Sequence, residues 1–183
     1  MPKLEKYTKK INYTYALGAF PSIEAIIHQK DKVHKLIVSP LINTSLKEKL
    51  DDLCKNQIRI EEAPKALEKI TGKDSILVAA VVEKYFSDLN AQSNHLVLHN
   101  IMDGGNLGTI LRTALGFGIR NIAIIKPATD IFDPNVIRAS MGAMFQLNVM
   151  EFDCFDDYIA QYKSHVMYPF MLHASRPLEE SVH

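Results

Sequence analysis

Short β-branched runs alternate with amphipathic stretches along most of this chain, and that alternation limits the fold more than any other feature. Lys35-Leu36-Ile37-Val38 reads as a strand closed by Ser39-Pro40, and Ile58-Arg59-Ile60 and Ile76 to Val82 read as two more. Between them Thr44 to Lys55 carries Leu46, Leu50, Leu53 and Cys54 at helical spacing, and Pro64 to Ile70 has proline in its first turn. Ser22 to Ile27 reads as a short helix with Ser22 as its cap. After Glu83 to Ser93, a polar stretch without apolar period and the expected linker, the alternation resumes. His95 to His99, Asn121 to Lys126, Leu147 to Phe152 and Val166 to His173 are expected strands. Asn106 to Phe117, a short segment opened by Asp133-Pro134, and Phe155 to Lys163 are expected helices. Strand–helix alternation calls for an α/β protein with a parallel sheet, here in two units, residues 1–92 and 93–183.

Charge distinguishes the two halves. The chain is neutral overall, with 21 basic and 21 acidic residues, but residues 1–92 hold 15 Lys/Arg against 12 Asp/Glu and residues 93–183 hold 6 against 9. Lys3, Lys6, Lys9 and Lys10 crowd the start. Such a bias suits a phosphate-contacting unit joined to a more neutral one, and Lys9 and Lys10 are candidate RNA contacts; it is equally the look of a solvated surface.

The chemistry-bearing run is Asp103-Gly104-Gly105-Asn106-Leu107-Gly108-Thr109-Ile110-Leu111-Arg112-Thr113. Leu107, Ile110, Leu111, Ala114 and Leu115 form a core-facing stripe, which leaves Asn106, Thr109, Arg112 and Thr113 on the opposite side. These polar groups follow a strand's carboxyl end, the edge at which open α/β sheets bind ligands. A glycine pair there permits a tight turn and a close approach. The spacing fails the G-x-G-x-x-G pattern of dinucleotide loops. About 25 residues on comes Arg138-Ala139-Ser140-Met141-Gly142-Ala143, a helix with small residues suited to close packing, in which Arg138 and Ser140 are the polar members.

In this order and spacing the two runs resemble the first two motifs of the SpoU/TrmH family of RNA ribose 2′-O-methyltransferases. Asp103, Asn106, Gly108 and Arg112 match that family's first motif, with Gly104 where proline is usual. The resemblance implies S-adenosylmethionine as cofactor, catalytic roles for Asn106 and Arg112, and RNA contacts at Arg138 and Ser140. Asn106 would orient the site and Arg112 would engage the target ribose and a neighbouring phosphate. Gly18 to Ala25 resembles the start of an L30e-like RNA-binding module. The implied fold is therefore an L30e-like α/β/α domain over 1–92, with linker from about 83, then a parallel-sheet SPOUT (α/β knot) domain over 93–183 that stops before the knot. The family's third motif is missing after Glu180, so His173, Ala174 and Ser175 are the residues nearest the expected cofactor pocket, and weak cofactor binding is expected of the chain as written. The resemblance also implies a homodimer acting on ribosomal or transfer RNA, with the L30e-like module favouring ribosomal RNA. A non-catalytic RNA-binding protein that keeps the fold is the rival reading.

Cys54 and Cys154 lack metal-ligand spacing and read as two buried thiols, and no metal is expected. No apolar run approaches the ~20 residues that span a bilayer, and the start lacks a secretory apolar stretch. A cytoplasmic protein is expected.

Overall fold

The computed structural model describes residues 4–55, 57–72 and 75–170. Its first half runs β1 (Tyr13–Leu17), α1 (Ala19–His28), β2 (Val33–Val38), α2 (Thr44–Cys54), β3 (Arg59–Glu62), α3 (Pro64–Thr71) and β4 (Val78–Glu83). The strands pair in the order β1-β4-β2-β3. Strand β4 lies antiparallel to both its neighbours, and β2 is parallel to β3. This sheet is thus mixed, where alternation alone suggested parallel pairing. The difference comes from β4, which returns antiparallel to β2 and is made a central strand by β1, an aromatic and β-branched run at the start that pairs along its other side. Val78 to Val82 are all at most 1% exposed, as expected for a strand covered on both faces.

The second half runs β5 (His95–His99), α4 (Gly104–Gly116), β6 (Asn121–Ile125), α5 (Pro134–Ala139), β7 (Asn148–Phe152) and α6 (Phe155–Gln161). Here all pairings are parallel, in the order β5-β6-β7, with His95, Asn121 and Asn148 in register at one end and His99, Ile125 and Phe152 at the other. Ile122 to Ile125 are at most 1% exposed.

One buried apolar cluster crosses from the first sheet to the second, joining Ala16, Ile26 and Leu36 to Leu107, Ile124 and Phe145. A second lies between the first sheet and α3, around Tyr15, Ile37, Leu67 and Ile70. A third lies between β6, β7 and α6, around Ile125, Phe152, Tyr158 and Tyr162. The segment joining the sheets is tied at several points. Lys84 N–H donates to Asn12 O at 2.9 Å, Ser87 N–H to Val149 O at 3.1 Å, and Asn90 N–H to Asn121 Oδ1 at 2.9 Å.

Several local expectations are corrected. Helix α1 begins three residues before Ser22, with Gly18 as its cap at φ +102°. Ser22 is buried inside the helix, and its hydroxyl donates to Ala16 O at 2.9 Å. Cys54 is buried but Cys154 is exposed. The strand expected over Val166 to His173 is not formed over 166–170, which are exposed and have no ladder partner among the described residues. Met171, Leu172 and His173 lie outside the described residues.

Candidate active site

Because β5, β6 and β7 point the same way, the loops that follow them gather at one edge of the sheet. Helix α4 starts there. Asp103 is its cap: the carboxylate Oδ1 accepts the Asn106 N–H at 2.7 Å. That satisfies one of the helix's open donors and leaves the Asn106 side chain free of a capping duty. The stripe read from sequence is the packed one, with Leu107 and Leu111 fully buried, Ala114 at 4% and Ile110 and Leu115 half-buried. Asn106, Thr109, Arg112 and Thr113 are exposed on the other side. The threonine hydroxyls turn back onto the helix, Thr109 to Gly105 O at 2.9 Å and Thr113 to Thr109 O at 2.8 Å. The Asn106 amide and the Arg112 guanidinium, by contrast, have no side-chain partner among the described residues and face solvent. Beside them is a cleft of about 330 Å³ lined by Asn100, Ile101, Met102, Asp103, Asn106, Thr109 and Ile110.

A close approach is made at Gly104, where a Cβ would lie 3.2 Å from Val136 Cγ2, and a tighter one, not read from sequence, at Gly108. A Cβ there would lie 2.5 Å from Ala139 Cβ and 2.8 Å from both Ser140 N and Val136 O. Only a glycine lets α4 cross α5 at this distance, so the two sequence motifs meet at that crossing.

Helix α5 opens as read from sequence. Asp133 Oδ1 accepts the Asn135 N–H at 2.7 Å, and Pro134 stands in the first turn. Arg138 is exposed on its last turn and has no ion-pair partner among the described residues. Ser140 requires a correction: it is fully buried, its hydroxyl donates to Ile137 O at 2.9 Å, and its N–H donates to Val136 O at 2.9 Å. Its role here is to end α5 under the α4 crossing, not to touch RNA. The helix does not run through the motif. Met141 (φ +53°) and Gly142 (φ +78°) reverse the chain into a short turn over Ala143–Gln146 that feeds β7.

Lys9 and Lys10 are exposed on the turn before β1, on the N-terminal unit rather than on α4 or α5. His173, Ala174 and Ser175 lie outside the described residues. The structure therefore brings Asn106 and Arg112 onto one helix face, sets Arg138 on the helix packed against it, and keeps the two lysines on another unit.

Two clusters escaped the sequence reading. In the first, Asp130, in the loop between β6 and α5, accepts a hydrogen bond from Tyr7 O–H and lies 3.8 Å from Lys84 Nζ. The Lys84 ammonium sits 4.6 Å over the Tyr7 ring. Burial, then the bond to Asp130, pushes the Tyr7 phenol well above its usual range, so it stays a donor. A separation of 123 residues leaves no local signal for such a contact. In the second, the His95 and His165 rings lie with centroids 4.3 Å apart and planes tilted by 35°. Nε2 of His95 faces Asn90 O at 3.0 Å, Nε2 of His165 faces Ser93 O at 3.1 Å, and His95 Nδ1 lies 3.2 Å from the Tyr158 hydroxyl. Burial lowers the His95 pKa; the Asn90 carbonyl raises it and the neighbouring His165 lowers it again.

Residues 93–181 match the model of the SpoU rRNA methylase family. Among curated proteins, the chain is 43% identical over 68 residues to rRNA methyltransferase 3, mitochondrial, of Xenopus tropicalis, covering 36% of this chain and 16% of that protein. It is 40% identical over 67 residues to the protein of the same name in Homo sapiens, covering 35% and 16%. Its fold matches the SpoU methyltransferase AviRb of Streptomyces viridochromogenes, with a TM-score of 0.68 at 21% identity over 84% of this chain and 58% of that one, and equally the structure of AviRb in complex with the cofactor AdoMet. The chain thus spans a small part of these curated relatives and just under three-fifths of AviRb. What this chain shares with the SpoU rRNA methylase family is its C-terminal unit, residues 93–181, which is similar to that family's model.

Proposed function

We propose that this chain carries the substrate-orienting part of an S-adenosylmethionine-dependent 2′-O-methyltransferase acting on a ribose of ribosomal RNA, working as a homodimer. The observation that carries the reading is the pair of unpartnered polar groups, Asn106 and Arg112, on one face of α4 at the carboxyl edge of a parallel sheet. The relatives named as ribosomal RNA methyltransferases support the substrate class.

When bound, S-adenosylmethionine supplies a methyl group activated by a positively charged sulfur. The cleft beside α4 suits a cation with apolar parts: among the described residues Asp103 is the charged one on its wall, and Ile101, Met102 and Ile110 give it apolar surface. Its volume is at the lower end of the ~300–1,000 Å³ of small-molecule sites. Asp103 and Asn106 are the described residues that would hold the cofactor's near side.

A ribose 2′-hydroxyl is a poor nucleophile until it is held in line and its proton is drawn off. The Arg112 side chain is better suited to binding than to accepting a proton. Its planar fork instead binds a phosphate oxygen and the ribose together, fixing the hydroxyl's direction. Asn106, six residues earlier on the same exposed side of α4, orients the reacting hydroxyl through its amide. Arg138 on α5 and the exposed Lys9 and Lys10 hold the RNA backbone, a contribution that weakens with salt.

The test is Arg112→Ala and Arg112→Lys in the protein, with methyl transfer from labelled S-adenosylmethionine to ribosomal RNA as the readout. Both variants are expected to lose about 100-fold or more in rate, the scale of a lost transition-state contact. Circular dichroism and cofactor binding should be unchanged, because the side chain supports no packing. Near-normal transfer by either variant removes Arg112 from the site.

A further inference from the structure

Both ends of the segment that carries Arg138 are held by the N-terminal unit. At the front, Asp130 Oδ1 accepts the Phe132 N–H at 3.0 Å and so shapes the turn that leads into α5, while its Oδ2 accepts from Tyr7. Lys84 closes the same corner, lying 3.8 Å from Asp130 and donating to Lys9 O at 3.0 Å. The Thr14 hydroxyl, buried in β1, donates to Phe132 O.

At the back, Gly142 is pressed onto α1: a Cβ there would lie 2.9 Å from Glu24 Cβ and 3.1 Å from Pro21 Cα. Glu24 Oε2 accepts from Gln146 Nε2 at 2.8 Å and lies 3.5 Å from His28 Nε2. Gln29 Nε2 donates to Phe145 O at 2.9 Å. Apolar packing continues the contact, since one buried cluster runs through both units. Domains joined in this way do not move as independent bodies, which needs a small and polar interface. The held segment in turn sets α4, because the crossing at Gly108 rests on Val136, Ala139 and Ser140.

We infer that the N-terminal unit is a fixed wall of the reaction site, and that Asp130 and Glu24 are positioning residues that hold α5, and through it Arg138 and α4, in working register. The inference rests on the methyltransferase reading for its catalytic consequence, but its structural half stands apart from it. A unit that served only to catch RNA would contribute to affinity and leave the turnover of bound RNA alone. A wall contributes to turnover, because misplacing a reacting group by about 1 Å can cost ~100-fold.

The experiment uses Tyr7→Phe and Glu24→Ala, singly and together, in the full chain. Tyr7→Phe removes one hydrogen bond to Asp130 and leaves the Asp130–Phe132 turn intact. Amide hydrogen exchange is expected to quicken by about tenfold over residues 131–146 in the double variant, with β1 to β4 unchanged, as local opening of a released segment requires. Turnover at saturating RNA is expected to fall by about 10- to 100-fold with KM for RNA held within about twofold. Glu24→Gln, which keeps an acceptor for Gln146, should restore most of the rate lost in Glu24→Ala. A raised KM with unchanged turnover, or unchanged exchange over 131–146, overturns the inference. If the parent protein transfers no methyl group to RNA, the functional reading fails alone, and the exchange measurement still decides whether the wall exists.

Discussion

Strands β4 and β6 are each the buried centre of a sheet, yet only one of them serves a site. Strand β4 runs antiparallel to both neighbours, so the loops of the first sheet are divided between its two ends. Strand β6 runs parallel to both neighbours, so every strand of the second sheet delivers its following loop to the same edge. Burial and β-branched content are nearly the same in the two; strand direction is what differs. A parallel sheet collects polar residues from distant parts of a chain at one place, and a mixed sheet makes a firm support instead. This contrast supports the proposed division, with the N-terminal unit as wall and the C-terminal unit as site.

The comparison is sharpened most by the substitution with the largest expected effect, Gly108→Ala. The added Cβ meets a Cβ and two backbone atoms on α5, none of which can swing aside. Overpacking of this kind costs about 1–3 kcal/mol, and urea unfolding should place the loss near the upper end, with methyl transfer falling further than stability. Next comes the removal of helix caps, about 1 kcal/mol each. Asp133→Ala at α5 and Asn43→Ala at α2 lose equivalent bonds, 2.7 Å to Asn135 N–H and 2.8 Å to Leu46 N–H. Their effects on denaturation midpoint should be alike, but only Asp133→Ala should lower turnover. Equal losses of turnover would erase the distinction between wall and site.

Acid should separate the units in order. Burial lowers the His95 pKa from 6.5 in the folded protein. The stability held by its neutral ring is therefore full above about 6.5, falls as the pH drops from there towards the depressed folded value, and is level below it. Glu61 is the reverse: its hydrogen bond from Lys35 at 2.7 Å lowers its pKa from 4.5, so the stability it adds is full above that value and is lost as pH falls through the lowered one. Exchange measured against pH should show the β5–α6 region loosening as the pH falls below about 6.5, while β2 and β3 hold until below about 4.5. Simultaneous loosening would mean that His95 is not what distinguishes them. The smallest effect is a pair of opposite signs. Gly116→Ala, at an open helix position with nothing within 4 Å, should stabilise by about 0.5–1 kcal/mol. Gly72→Ala, at φ +63°, should destabilise by about 1 kcal/mol.

What could be read from sequence followed local periodicity. The α4 stripe, the Asp133-Pro134 helix start and the span of β5 depend on neighbours within a few residues, and the structure keeps them. Strand β1 was missed because Tyr13 to Leu17 are buried throughout, so the run shows no alternation. Ser140 was misjudged because a serine's burial is decided by what crosses above it, here α4 at Gly108. The Tyr7–Asp130 corner depends on tertiary proximity alone, and no period or spacing announces it. The exposed faces of Asn106, Arg112 and Arg138 were legible; the support that holds them was not.

The two thiols have a practical consequence. Cys54 is 2% exposed, and burial, together with Asp51, raises its pKa above the usual thiol value, so it resists alkylation. Cys154 is exposed where β7 ends, on the same rim of the sheet from which α4 begins. A single maleimide dye would therefore attach at that rim without any engineered cysteine. Its emission and anisotropy would report arrivals at the carboxyl edge of the sheet in the unmodified sequence.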